Sequence, residues 1–214
     1  MTPAARARRA MVRRHLAKRG ITDRRVLAAM TRVPREAFLD PAQEPVAYAD
    51  APLSIGCGQT ISQPYIVALM TEAAGIRHPT RVLEIGTGSG YHTAILAHLA
   101  GHVWSVERHD VLARAATRHL HDIGCHNVTI VVGDGASGYP TAAPYDAIVV
   151  SAAAPEPPPA LVAQLADAGR LVIPLGDRTL QMLTVVTRTA DGIRRREVCA
   201  CRFVPLVSPV AFAE

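Results

Sequence analysis

Val82-Leu83-Glu84-Ile85-Gly86-Thr87-Gly88-Ser89-Gly90-Tyr91 reads as an apolar strand running into three glycines set two apart, with a helical pattern (Tyr91 to Leu99) beginning at once. A strand, a tight glycine turn and a helix N-terminus let a nucleotide-like cofactor lie against bare backbone. The spacing discriminates. A dinucleotide fold places its third glycine one position later, at 91, where this chain has Tyr91. A βα turn with no ligand would show the same glycines, so the run speaks to the fold before it speaks to an activity.

Outward from this turn the pattern alternates. Strands are expected over 81–85, 102–107, 127–132, 145–150 and 170–175, and helices over 91–99, 110–122 and 158–166. Short apolar strands alternating with helices mean a parallel sheet covered on both faces, so the fold class is α/β, doubly wound and Rossmann-like. Residues 180–188 and 193–204 flank Ala190-Asp191-Gly192 and predict a C-terminal antiparallel hairpin. Before the sheet, helices are expected over 5–19, stopped by Gly20, and over 23–30. An irregular, proline-rich stretch from Val33 to Gly58 is too long for a mere connector and reads as a wrapping segment. Ser62-Gln63-Pro64 then opens a helix to about Ala74, with Ser62 suited to the cap and proline to the first turn. The expected organisation is a helical and wrapping segment (1–58) joined to a catalytic unit (59–214) in a single domain.

Composition excludes several classes. With 214 residues, 49% hydrophobic and 19% charged, the chain can bury a core, and it has no apolar run of the roughly 18 residues that a membrane span needs. The first residues carry arginines without an apolar core segment, so no secretory signal is expected and the cytoplasm is the expected compartment. Four scattered cysteines give neither a disulfide framework nor a metal site, and no metal is expected. The net charge of +5 is uneven: residues 1–25 hold nine basic side chains against the single acid Asp23. No aromatic is interleaved there to stack on bases, so these arginines read as the solvated face of a first helix with Met11, Val12, Leu16 and Ile21 inward.

In an open α/β sheet the ligand sits outside the carboxyl ends of the strands, at the switch point. Three strand ends carry suitable groups. Gly-x-Gly-x-Gly with Glu84 before it resembles the first motif of the S-adenosylmethionine methyltransferases; its backbone N–H groups and helix N-terminus suit a carboxylate. Glu107, closing the second strand, can accept from both ribose hydroxyls. Asp134, between Gly133 and Gly135, can accept from an adenine amino group; an Asx turn would look the same.

Gly58-Gln59-Thr60-Ile61-Ser62-Gln63-Pro64-Tyr65, with Val33-Pro34-Arg35, Tyr48-Ala49-Asp50 and Arg202-Phe203-Val204-Pro205-Leu206, resembles the protein-L-isoaspartate (D-aspartate) O-methyltransferases from about Val33 to Val207. The resemblance implies that the chain binds S-adenosylmethionine, releases S-adenosylhomocysteine, and methylates the free α-carboxylate of L-isoaspartyl and D-aspartyl residues in damaged proteins and peptides. The ester then closes to a succinimide unaided. It also implies that Ser62 is the active-site residue, and that Thr60, Ile61, Ser62, Glu84, Gly86, Thr87, Gly88, Gly90, Glu107, Arg108, Asp134 and Gly135 form the cofactor site. A damaged backbone must be read through main-chain contacts; Ile55, Gly56, Gln59, Val204, Pro205 and Leu206 are the expected substrate strip.

The chemistry agrees with this sparse machinery. A carboxylate with a pKa of about 3.5 to 4 is already ionised at neutral pH and needs no base. A sulfonium is already an activated methyl donor. What remains is orientation, which can supply roughly 7–11 kcal/mol in favourable cases. Two alternatives stay open: an isoaspartate-forming methyltransferase acting on one dedicated peptide, and an RNA methyltransferase. Against the second, the loop after the fourth strand is Ser151-Ala152-Ala153-Ala154-Pro155, with no aromatic for a flipped base. Isoaspartyl proteins and peptides are the expected partners, with no specific nucleic acid, no membrane, and a monomeric state.

Overall fold

The computed structural model describes residues 2–213. Helix α1 (Pro3–Met11) starts on Thr2, whose hydroxyl accepts from the Ala5 N–H at 3.2 Å. The helix expected over 5–19 is not uniform: a π-helical turn (Val12–Leu16) and a 3₁₀ turn (Ala17–Arg19) follow before Gly20 stops the run at φ +96°. Met11, Leu16 and Ile21 are buried as their spacing requires. Helix α2 (Arg24–Arg32) is capped by Asp23.

The irregular stretch holds two 3₁₀ turns, Arg35–Phe38 and Pro41–Val46. It ends in strand β1 (Leu53–Gly56), which pairs antiparallel with β2 (Gln59–Ile61). The boundary expected at residue 58 therefore falls on the turn of a hairpin, because the two strands satisfy each other's backbone groups.

Helix α3 (Pro64–Ala74) leads into β3 (Arg81–Ile85), α4 (Tyr91–Ala97), β4 (His102–Glu107), α5 (Asp110–Asp122), β5 (Val128–Val132), β6 (Tyr145–Val150), α6 (Pro159–Ala163), β7 (Leu165–Gly176), β8 (Gln181–Thr189) and β9 (Gly192–Cys201). One seven-stranded sheet has the order β5-β4-β3-β6-β7-β8-β9. Its first five strands are parallel, and β8 and β9 close it as an antiparallel hairpin. Helix α6 is shorter than the expected 158–166 because the chain enters the sheet early. Leu165, fully buried, already pairs with Tyr145 across an irregular register.

Two apolar clusters sandwich the sheet, and the period of two sorts the side chains between them. Val82, Val103, Ala147, Val149 and Val172 face a cluster shared with α1 to α4. Leu83, Ile85, Ile148, Val150 and Ile173 face a second one closed by Leu161 and Leu206. Each such aliphatic side chain contributes about 1.5–3 kcal/mol by leaving water. From β3 the chain steps to β4 and β5 on one side and returns to β6 on the other. The crevice between the carboxyl ends of β3 and β6 is thus the switch point.

Candidate active site

At that switch point lies a cavity of about 770 Å³, within the roughly 300–1,000 Å³ range of small-molecule sites. Gly86, Thr87 and Gly88 form its floor. Gly90 is not on the wall: a Cβ there would lie 3.2 Å from that of Ala116 on α5, so this glycine lets two helices approach. Glu107, at the end of β4, is on the wall and 5% exposed. Its Oε2 accepts from the Gly88 N–H at 2.8 Å and its Oε1 from the His109 N–H at 2.9 Å. A carboxylate offers about four acceptor positions, so this one ties the ends of β3 and β4 together and keeps capacity for a ligand.

Glu84 is placed elsewhere than the sequence suggests. Strand β3 is buried on both faces, and Glu84 is 0% exposed beneath the glycine turn rather than on the cavity wall. Its Oε2 accepts from Thr93 Oγ1 at 2.5 Å and Ser105 Oγ at 2.6 Å, and Ser105 in turn shares a 2.6 Å bond with Thr87. Its Oε1 has no partner among the described residues. Burial pushes its carboxyl up to about 7, against the two hydroxyl bonds that favour the charged form. His92 Nδ1 lies 4.0 Å away, but burial drives that imidazole down to about 3, so the contact joins a neutral ring to the carboxyl and is no ion pair. Thr71 shares a 3.0 Å bond with the other ring nitrogen.

Gly135 lines the cavity where Asp134 does not. Asp134 is doubly engaged: it accepts from the Ala136 N–H at 2.9 Å as an Asx turn, and from Ser208 Oγ at 2.8 Å. Gly135 cannot carry a side chain, since a Cβ would stand 2.3 Å from Ile85 Cγ2.

Gln59, Thr60, Ile61 and Ser62 also line the cavity, as do Arg108 and Val204, Pro205 and Leu206. The last three lie along the loop after β6, where the Ala153 N–H donates to Val204 O at 2.8 Å and the Leu206 N–H to Ala153 O at 2.7 Å. Ile55 and Gly56 stand off the wall. A Cβ on Gly88 would lie 3.3 Å from Ile55 Cδ1, so this side chain roofs the glycine turn.

Ser62 is not the cap of α3. The N-cap residue is Gln63, with no side-chain bond, and the Tyr65 N–H donates instead to Asp50 Oδ1 at 2.9 Å. Among the described residues nothing hydrogen-bonds the Ser62 hydroxyl. Tyr91, His92, His109 and Arg178 also line the cavity and were not singled out from the sequence. His92 and His109 directly follow two strand-end motifs and could have been found by that position; Arg178 sits in the loop before β8, where no local signal marks it.

A family model described as Protein-L-isoaspartate(D-aspartate) O-methyltransferase (PCMT) matches residues 6–211. The chain is 52% identical over 208 residues to a protein-L-isoaspartate O-methyltransferase of Methanoregula boonei, covering 96% of this chain and 94% of that one. It is 56% identical over 190 residues to that of Anaeromyxobacter dehalogenans, covering 87% and 91%. Among solved structures, a protein-L-isoaspartate O-methyltransferase superposes with a TM-score of 0.84 at 30% identity, over 94% of this chain and 67% of that one. A Plasmodium falciparum structure, described as such an enzyme in complex with S-adenosyl-L-homocysteine, gives 0.81 at 26% identity over 94% and 98%.

Proposed function

The chain belongs to the protein-L-isoaspartate (D-aspartate) O-methyltransferase family, and on that premise we propose that its Ser62 hydroxyl grips the isoaspartyl carboxylate while the glycine turn and Glu107 hold the methyl donor. It is an S-adenosylmethionine-dependent protein carboxyl methyltransferase acting on isoaspartyl-containing proteins. The observation that carries the assignment is a serine hydroxyl with no hydrogen-bond partner among the described residues, on the wall of a cavity it shares with Gly86, Gly88 and Glu107.

The cavity fits the cofactor. Glu107 retains acceptor positions for a ribose diol, and Gly86 and Gly88 present backbone without side chains. Bound there, S-adenosylmethionine supplies a methyl group on a positively charged sulfur, which passes to a carboxylate oxygen and leaves a neutral thioether.

The residues of the chain place that oxygen. A hydroxyl can donate to a carboxylate without neutralising it, so the nucleophile keeps its charge; an ammonium in its place would pair too strongly. No base is called for, since an α-carboxyl of pKa about 3.5 is ionised at neutral pH. Gln59 and the Val204–Leu206 strip offer contacts to the peptide main chain. A monomeric state belongs to the same reading. The loop Ser151 to Pro155 has no aromatic ring on which a flipped nucleobase could stack, which favours peptides over nucleic acid as substrate. Work in the cytoplasm, on damaged proteins at large rather than one dedicated peptide, completes the reading.

Ser62→Ala tests it. Turnover of an isoaspartyl peptide should fall by about 10²-fold, the scale of a lost positioning contact, while S-adenosylmethionine affinity by calorimetry stays within about threefold. Wild-type turnover would return Ser62 to a spectator.

A further inference from the structure

The serine on which that reading rests sits where helix chemistry would ordinarily consume its hydroxyl. Ser62 precedes Tyr65 by three residues, the spacing at which a serine at a helix start accepts the third N–H. Pro64 has no N–H, so Tyr65 carries the first donor of α3 that wants an acceptor. Ser62 stands one residue before the cap Gln63, where its hydroxyl is a side-chain acceptor able to compete for the Tyr65 N–H. Bonded there, its oxygen is spent on the backbone.

Another acceptor has taken that donor. Asp50, fifteen residues upstream in the wrapping segment, accepts the Tyr65 N–H at 2.9 Å. Asp50 is itself held: the guanidinium of Arg19, from the basic leader, bonds its other oxygen. The same guanidinium stacks over the Tyr65 ring, 3.6 Å from its centroid, and the Tyr65 hydroxyl returns a 3.4 Å bond to Arg19 O. The Asp50 side chain is 13% exposed and that of Arg19 44%, so the carboxylate is sheltered while the arginine that holds it stays partly in water. Arg19, Asp50 and Tyr65 thus form one unit at the start of α3, two residues beyond the serine.

We propose that Asp50 is a positioning residue for methyl transfer: by capping α3 in place of Ser62 it leaves the serine hydroxyl free to face the substrate carboxylate, and Arg19 holds it there. The arginine-rich leader thereby takes a part in the reaction that its charge alone did not suggest. Removing Asp50 vacates the Tyr65 N–H, the Ser62 hydroxyl turns to fill it, and the carboxylate loses its grip. Cofactor binding, made by β3 and β4, is untouched.

This rests on Ser62 as the gripping residue, and the experiment separates the two. Turnover of an isoaspartyl peptide and S-adenosylmethionine affinity are measured for Ser62→Ala, Asp50→Ala, Asp50→Asn and the double variant Asp50→Ala/Ser62→Ala. Asp50→Ala should lose about tenfold in kcat with cofactor Kd within about twofold, whereas Asp50→Asn, whose amide oxygen still accepts the N–H, should stay within about threefold of wild type. The double variant should be no slower than Ser62→Ala alone, because the second change has nothing left to disturb. A merely structural cap would instead multiply the two losses, and that result overturns the proposal. So does wild-type kcat in Asp50→Ala alongside a slow Ser62→Ala, or an Asp50→Asn as slow as Asp50→Ala. Wild-type kcat in Ser62→Ala removes the serine's role and the proposal with it. Should Asp50→Ala not fold, Asp50→Glu, which keeps a charge for Arg19 but displaces the oxygen from Tyr65, takes its place with the same outcomes.

Discussion

On one side Gly86, Gly88 and Glu107 sit at the ends of β3 and β4, neighbouring strands paired along their length inside the sheet. On the other side Gln59 to Ser62 belong to a two-stranded hairpin and a turn that lie outside that sheet. Their placement depends on distant residues. Asp50 and Arg19 hold the start of α3, and Arg35, wholly buried, reaches from the wrapping segment to Ala47 O at 2.8 Å and sits 5.0 Å from the ring of Tyr91. On the reading proposed above, the methyl donor lies against consecutive strand ends, a local product of the sheet, and the peptide carboxylate against residues placed by long-range contacts. A methyl donor of constant shape suits the first. A substrate that varies in everything but one damaged linkage suits the second, which can adjust without disturbing the sheet.

If the division is real, changes on each wall should move different parameters. Glu107→Ala should have the largest effect, raising the S-adenosylmethionine Kd by about 10²-fold through loss of a charge-assisted acceptor, roughly 3 kcal/mol. Peptide KM at saturating cofactor should hardly change; steady-state kinetics beside calorimetry separates the two. A KM that rose in parallel would dissolve the distinction.

Glu84 probes whether the glycine turn is supported from beneath. Its carboxyl titrates at about 7 in the fold against 4.5 as the ordinary value. The neutral form is the one the fold prefers, so the stabilisation is full at low pH and is lost as pH rises through about 7. Between pH 5 and 8 this group should remove roughly 2 kcal/mol of stability. Urea midpoints of Glu84→Gln, which cannot ionise, should lack that decline. An identical pH slope in both proteins would mean that Glu84 is charged throughout.

Gln59→Ala should give the smallest effect, about a threefold loss in peptide kcat/KM with cofactor Kd unchanged, the size of one exposed hydrogen bond. A change in cofactor affinity instead would place Gln59 with the other wall.

The same division explains what the sequence discloses. Strands with periods of two and helices with periods near 3.6 are local properties, so α5 is expected over 110–122 and found at Asp110–Asp122, and β6 is expected over 145–150 and found at Tyr145–Val150. The glycine turn and Glu107 are legible for the same reason. What escapes is the choice of hydrogen-bond partner. Ser62 has the right spacing for a cap, yet Asp50 does the capping. Asp134 reads equally as a ligand acceptor or an Asx turn; the turn forms, and its other oxygen accepts from Ser208, 74 residues away. Glu84 is read only through the glycine motif that follows it, and that motif does not say that Thr93 and Ser105 bond its carboxyl beneath the turn. In each case a side chain's chemistry was readable and its competitor was not, because the competitor arrives through tertiary packing.

The central claim is that the cavity presents one already ionised carboxyl oxygen to an activated methyl group and selects it by backbone geometry. Its most direct test is methyl incorporation from labelled S-adenosylmethionine into a matched pair of peptides that differ only in an isoaspartyl or aspartyl linkage. The isoaspartyl peptide should take up about one methyl per molecule and the aspartyl peptide almost none. Equal labelling of both, or labelling of RNA in their place, would contradict it.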